Sequence, residues 1–225
     1  MTENSRLHQA ALLLRSAYCS RDGLDHVSCW SRCLRTLFGI AAGHPAEATI
    51  TGLLASGPLA TPSGTTGASA GQLIEILQPV PRGPQKASVV RALAGWWATQ
   101  FGDECNPDWT GSISTYREAL RQIRGLGPAV VDELLLFGPG LAVFPVDRTA
   151  LRVAVRHGWL DLPVDDEDAQ SLFARGADRS VTEMRELSQL LTKVGEEHCG
   201  REPQCDGCPL QSMLPEGGPR NPQSC

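Results

Sequence analysis

The sequence predicts an all-α fold, and three observations carry that expectation. Apolar residues recur at the spacing of one helix face along most of the chain, strand-like alternation is nearly absent, and Gly, Pro, Ser and Thr clusters punctuate the apolar runs as helix ends and turns do. With 225 residues, 41% of them hydrophobic, the chain can bury a real core, as one compact unit or two small lobes. The N-terminal LLL run is too short for a signal sequence, and no stretch approaches the roughly 20 apolar residues of a membrane span. A soluble, cytoplasmic protein with no membrane partner is expected.

The helical pattern runs through 29–40, 72–77, 86–101, 116–123, 130–137, 150–155 and 181–194. Between the first two lies ASGPLATPSGTTGASAG, 55–71, which has no apolar period and reads as a long loop. A second break, GDECNPDWTGS, 102–112, leads to Thr115, whose hydroxyl is expected to cap the next helix with Glu118 completing a capping box. The stretch DLPVDDED, 161–168, reads as a solvated acidic turn. There is no internal repeat.

A formal charge of −5 excludes a broadly basic surface, so any nucleic-acid site must be local. Lys86 and Lys193 are the only lysines, which bears on mechanism because a Schiff base needs an amine that Arg cannot supply. Of the eight cysteines, Cys199, Cys205, Cys208 and Cys225 gather at the end of the chain, where in a reducing compartment they read as a metal site. Cys29 and Cys33, four apart on an amphipathic helix, read as core, and Cys105 as an outside candidate ligand. Trp96, Trp97, Trp109 and Trp159 read as core or lobe-interface residues.

The most informative stretch runs from Thr115 to Gly158. A helix ends near Ile123, RGLG turns the backbone, and Pro128 takes a first helical position, where a missing N–H costs nothing. Gly125 and Gly127 leave the backbone bare, so its N–H groups and the helix N-terminus can approach a phosphate, a contact that reads no base. A plain helix hairpin would look the same. Asp147 then opens another helix 20 residues after Gly127 (147 − 127). On this hairpin and acid the chain resembles the helix-hairpin-helix/Gly-Pro-Asp superfamily of DNA glycosylases, and within it the endonuclease III branch.

The resemblance implies two helical lobes: a six-helix barrel, 27–141, ending in the hairpin, and a cluster lobe made of 1–26 and 142–225. It implies a monomer that binds double-stranded DNA carrying a damaged base, with Asp147 at the mouth of a cleft between the lobes, facing the flipped-out nucleotide. Breaking an N-glycosidic bond puts positive charge on the sugar, which a fixed carboxylate stabilises; an aspartate at a helix start can also be a simple N-cap. Gly125, Leu126, Gly127 and Ala129 of the hairpin, with Lys86 and Arg148, are the implied DNA contacts. The segment 74–97 resembles the family's following barrel segment, including Gln85-Lys86-Ala87; Lys86 is there to meet a phosphate or, equally, to cap a helix start at the surface. Arg148, Arg152 and Arg156 recur at helical spacing, and Arg121 and Arg124 flank the turn; the row suits a DNA backbone or a solvated face.

Two departures matter. Bifunctional members carry a lysine two residues after the second hairpin glycine, where this chain has Ala129. A Schiff-base mechanism then lacks its nucleophile, and hydrolytic release of the base is expected with little or no AP-lyase activity. Asp132 and Glu133, one turn on, position water or, more simply, face solvent. The first barrel helix also lacks the Gln-Thr-type motif that probes the lesion pair, which touches the family's preference for oxidised pyrimidines. Finally, HCGREPQCDGCPLQSML resembles the iron–sulfur loop of endonuclease III-like chains, implying a [4Fe–4S] cluster on Cys199, Cys205, Cys208 and Cys225, with structural zinc as the rival. The family spaces its cysteines by six, two and five residues; this chain has five, two and sixteen. The expected function is a base-excision-repair glycosylase, the alternative a non-catalytic damage-binding or DNA-backbone-binding protein on the same fold.

Overall fold

The computed structural model describes residues 3–18, 27–40 and 44–220; Cys19 and Cys225 therefore lie outside the described residues. Its helices are α1 (Glu3–Ala17), α2 (Cys29–Phe38), α3 (Glu47–Ala55), α4 (Pro62–Gly67), α5 (Ala70–Ile76), α6 (Gly83–Phe101), α7 (Ile113–Arg121), α8 (Pro128–Phe137), α9 (Arg148–Arg156), α10 (Asp166–Gly176) and α11 (Val181–Glu197). Among the described residues there is no β-strand, only an isolated bridge between Cys199 and Pro203. The fold is all-α, and no described helix is long and apolar enough to cross a membrane. The chain divides into two compact units, one of Met1–Arg21 with Ala142–Cys225, the other Asp22–Leu141.

In the discontinuous unit, α1 buries Leu7, Ala10, Ala11 and Leu14, the one-face spacing of an amphipathic helix. It packs on α10 and α11, and its Arg15 forms an ion pair with Glu186 of α11. Phe144 and Phe173 stack at 4.7 Å in the same core. Helix α9 lies against α11 so closely that a Cβ on Gly195 would stand 2.0 Å from Thr149 Cγ2. Any larger residue at 195 would push on the first turn of α9.

The continuous unit holds α2 to α8. Trp30 of α2 and Trp97 of α6 meet edge to face at 5.2 Å, and Phe101, Trp109 and Tyr116 extend the aromatic core. The buried indole N–H groups of Trp30 and Trp97 are satisfied by the carbonyls of Leu59 and Glu104. Cys29 and Cys33 are core residues, as expected.

Two local expectations are corrected. The segment 55–71 is not an open loop: a 3₁₀ turn at Pro58–Ala60 leads into α4, and α5 begins at Ala70. Thr61 caps α4 by accepting from the Gly64 N–H, Pro62 occupies the first turn, and the buried Thr65 hydroxyl donates to the carbonyls of Pro58 or Thr61. Caps replace apolar period there, which is why periodicity missed it. Ser112, not Thr115, caps α7, with its side chain accepting from the Thr115 N–H. The acidic stretch at 161–168 is a solvated turn, as expected, and it runs into α10, capped by Asp165, with Asp166, Glu167 and Asp168 in the first turn where the helix dipole favours them.

Asp132 is not a solvated residue. It is 2% exposed and paired in bidentate fashion with Arg117, at 2.6 and 2.7 Å, which ties α7 to α8. Replacing Asp132 by Ala leaves Arg117 against a buried, uncompensated wall. The expected loss is about 2–3 kcal/mol in urea-unfolding stability, less than for a fully enclosed pair because Arg117 retains some solvent. An unchanged midpoint would mean that the pair contributes nothing to holding the hairpin.

Candidate functional site

Helices α7 and α8 pack as a hairpin whose turn is made by 122–127. Leu126 is buried and acts as the anchor of the turn, its N–H donating to the Ile123 carbonyl. Gly125 has φ of 101°, and a Cβ there would stand 2.6 Å from Val89 Cγ2 of α6, so glycine is required twice over. Gly127 caps α8 with ordinary φ and open space around it; its bareness leaves the backbone accessible. Pro128 is in the first turn, as expected, and Ala129 follows it.

Gly125, Gly127, Arg121 and Arg124 are exposed. The turn therefore presents bare backbone and the N–H-rich start of a ten-residue helix, flanked by two arginines. Leu126 is the exception among the expected contact residues, since its side chain points into the core. Lys86 is not a surface cap: it is half-buried in the first turns of α6 and donates to the Phe38 carbonyl at 3.0 Å. Burial, and secondarily Arg82, lowers its pKa.

In the discontinuous unit, Asp147 is the N-cap of α9. Its Oδ1 accepts from the Ala150 N–H at 2.7 Å, which fixes the carboxylate, and the residue is partly exposed. Capping and a chemical role are thus compatible on one side chain. Arg148 next to it is exposed.

The arginine row does not continue along a surface. Arg152 donates to the Cys199 carbonyl at 2.6 Å. Arg156, 4% exposed, donates to Cys199 Sγ at 3.2 Å and to the carbonyls of Gly200 and Arg201 at 2.7 and 2.8 Å. Arg148, Arg152 and Arg156 share a helix but not a task. A hint lay in the spacing, because Arg152 and Arg156 interleave with Val153 and Val155 on the buried part of a short helix.

Cys199, Cys205 and Cys208 line one cavity together with Arg156, His157, His198 and Leu214. Burial raises the Cys208 pKa against a lowering hydrogen bond from the Leu210 backbone, and the nearby Cys199 and Cys205 add to the rise. Among the described residues no three His, Cys, Asp or Glu groups stand close enough for a single metal ion. Leu214 stands where the spacing of the resembled family has its last cysteine. His157 was missed by sequence reasoning: it is 7% exposed, its ring packs against Trp159 at 4.9 Å, and its Nδ1 lies 2.8 Å from the Val153 carbonyl. Burial lowers its pKa despite the carbonyls of Val153 and Leu210, which act to raise it.

No protein-family model matches the sequence, and no curated protein matches it. Solved structures do. A trapped covalent complex of endonuclease III with DNA is 17% identical, with a TM-score of 0.64 over 96% of this chain and 97% of that one. A thermostable thymine-DNA glycosylase is 14% identical, with a TM-score of 0.68 over 94% and 95%. The 3-methyladenine DNA glycosylase of H. pylori, bound to 1,N6-ethenoadenine, is 15% identical, with a TM-score of 0.61 over 85% and 97%. Helix content, hairpin and these near full-length matches agree on one conclusion: the chain has the fold of the helix-hairpin-helix/Gly-Pro-Asp DNA glycosylases.

Proposed function

We propose that this protein is a monofunctional DNA glycosylase, which hydrolyses the N-glycosidic bond of a damaged base turned out of duplex DNA. The observation that carries the reading is Asp147, a partly exposed carboxylate fixed by the Ala150 N–H at the start of α9. A carboxylate held in this way stabilises positive charge developing on the sugar, or orients the attacking water, without reorganising during the reaction. Turning the base out is least costly where pairing is already weakened, which selects damage. Of the solved structures of like fold, two are named as DNA glycosylases and two as complexes of endonuclease III with DNA, which supports DNA as the ligand.

The hairpin supplies sequence-independent grip. Its exposed turn, the start of α8, Arg121 and Arg124 suit the phosphate backbone, and Arg148 beside Asp147 suits a nearby phosphate. Ala129 offers no amine, so no covalent sugar adduct forms there and the abasic product is left unbroken. The endonuclease III resemblance makes an oxidised pyrimidine the first substrate to test.

The three thiols of the cavity suit a [4Fe–4S] cluster. They line one cavity, and the spacing of Cys205 and Cys208 is that of the iron–sulfur loop the chain resembles. A coordinating cysteine is deprotonated, and Arg156, a buried cation for which no ion pair with a carboxylate is found among the described residues, is the matching counter-charge for Cys199. The cluster's part is structural: when bound, it ties together the segment that α9 leans on.

Single-turnover assays on duplexes with an oxidised pyrimidine, a thymine mismatch or ethenoadenine test the reading. Base release that becomes a strand break only after hot alkali, with no borohydride-trapped adduct, is expected. No release on any of them would favour a damage-binding protein. Asp147→Asn should slow release by about 10²–10⁴-fold while duplex affinity is kept; undiminished release removes Asp147 from the chemistry. Ala129→Lys should gain a borohydride-trappable adduct, and its absence would mean that position 129 is not the nucleophile position here. Gly125→Ala, strained against Val89, should weaken binding on the order of tenfold, equally on damaged and intact duplex. A loss confined to damaged DNA would show that the turn reads the lesion.

A further inference from the structure

The catalytic and cluster readings leave two buried thiols unused, Cys29 and Cys33, both free and both on the core side of α2. Four positions apart on a helix, their Cβ atoms stand about 5–6 Å from each other, and the two side chains hydrogen-bond to one another. Cys33 also lies against the end of α8: its Sγ donates to the Leu134 carbonyl at 3.8 Å, and a Cβ on Gly138 would stand 2.3 Å from that sulfur. Arg32, between the two cysteines, reaches the same place by donating to the Gly138 carbonyl at 2.8 Å. Cys29 is at the looser end. It opens α2, and its N–H is held by Oδ1 of Asn106 at 2.8 Å, in the break that follows α6, and not by the helix. The hydrogen bond from Cys33, with Arg32 nearby, lowers the Cys29 pKa against the effect of burial, while the same bond and burial raise that of Cys33. One sulfur is thereby favoured as a nucleophile and the other as the thiol that answers it.

We propose that Cys29 and Cys33 form a peroxide-oxidisable pair, which closes to a disulfide and in doing so releases the end of α8. The Cys29 thiolate attacks the O–O bond of a hydroperoxide, which is reduced to water or an alcohol and leaves a sulfenic acid on Cys29. The Cys33 sulfur then attacks the Cys29 sulfur, whose hydroxyl departs as water with the Cys33 proton. Each cysteine is 3% exposed, but the first turn of a helix opens at little cost in free energy and admits a molecule the size of hydrogen peroxide. A disulfide needs its Cβ atoms at about 3.5–4.5 Å, closer than an intact turn brings them. The first turn of α2 must therefore give, and what holds it is the Ser28 cap and the bond to Asn106. A disulfide made against such strain is labile to reduction, as a reversible modification requires. Drawing Cys33 Sγ toward Cys29 takes it off Leu134 and Gly138. On the glycosylase reading above, α8 starts at the turn that grips DNA, so oxidation weakens the grip.

The test treats the full chain with hydrogen peroxide, blocks the remaining thiols by alkylation and digests with trypsin, which cuts after Arg32 and so separates the two cysteines. The peptide carrying Cys29 should be found joined to the one carrying Cys33, and dithiothreitol should part them. Cys33→Ala should stop at a sulfenic acid on Cys29 that dimedone traps, and Cys29→Ala should leave Cys33 unmodified. Amide hydrogen exchange across 134–138 should quicken by about tenfold in oxidised wild type and return to its starting rate with dithiothreitol. Peroxide-treated Cys29→Ala should show no such change, which separates the effect from oxidation at Cys199, Cys205 or Cys208. Duplex affinity should fall on the order of fivefold on oxidation, reversibly. Cys29 and Cys33 both still open to alkylation at a dose that oxidises the part-exposed Cys105, or Cys29 joined to Cys105 instead, would overturn the pair. A joined pair with exchange at 134–138 unchanged would overturn the release of α8. Reduced protein that binds no duplex would overturn the glycosylase reading instead, with the peptide map and the exchange rates still deciding the pair.

Discussion

A guanidinium cannot be left dry without partners, and Arg156 has been taken out of water almost entirely. Its N–H groups are answered by one short stretch of chain, Cys199 to Arg201, to which Arg152 adds a bond from one turn earlier. Burying these two side chains therefore fixes the loop that carries the first thiol, and the same helix, nine residues long, presents Asp147 at its other end. Gly195 of α11 admits Thr149 and sets how close that end can come. The proposed chemical residue and the proposed metal site are thus two ends of one rigid object. Disturbance at the thiol loop is felt as a change in where α9 rests.

The continuous unit depends on a different constraint, the close approach of backbone to backbone at the hairpin. Gly125 adopts a conformation that L side chains avoid and sits against Val89, Leu126 plugs the turn from within, and Arg117 and Asp132 lock the two helices. None of these groups reads a base. Together they hold a bare turn and a helix start in an exposed position, which is what contact with a regularly charged backbone requires. That division suits a protein of net negative charge, whose attraction for a polyanion has to be concentrated in a few places.

The sequence by itself determined the all-helical class, the hairpin with its first-turn proline, the place of Asp147 at a helix start and the grouping of Cys199, Cys205 and Cys208. Each of these is a local property, set by periodicity, by caps or by spacing along a few turns. Periodicity failed where caps alone make a helix, at Pro62–Gly67, and a capping hydroxyl was assigned to Thr115 when Ser112 was three residues nearer the break. What only the tertiary structure decided is which charges are buried. Asp132 and Arg156 look like surface residues in sequence, and Arg152 like a DNA contact; their roles come from partners 15, 43 and 47 positions away. His157 carried no signal at all, since its burial against Trp159 comes from the folded chain and not from any spacing along it.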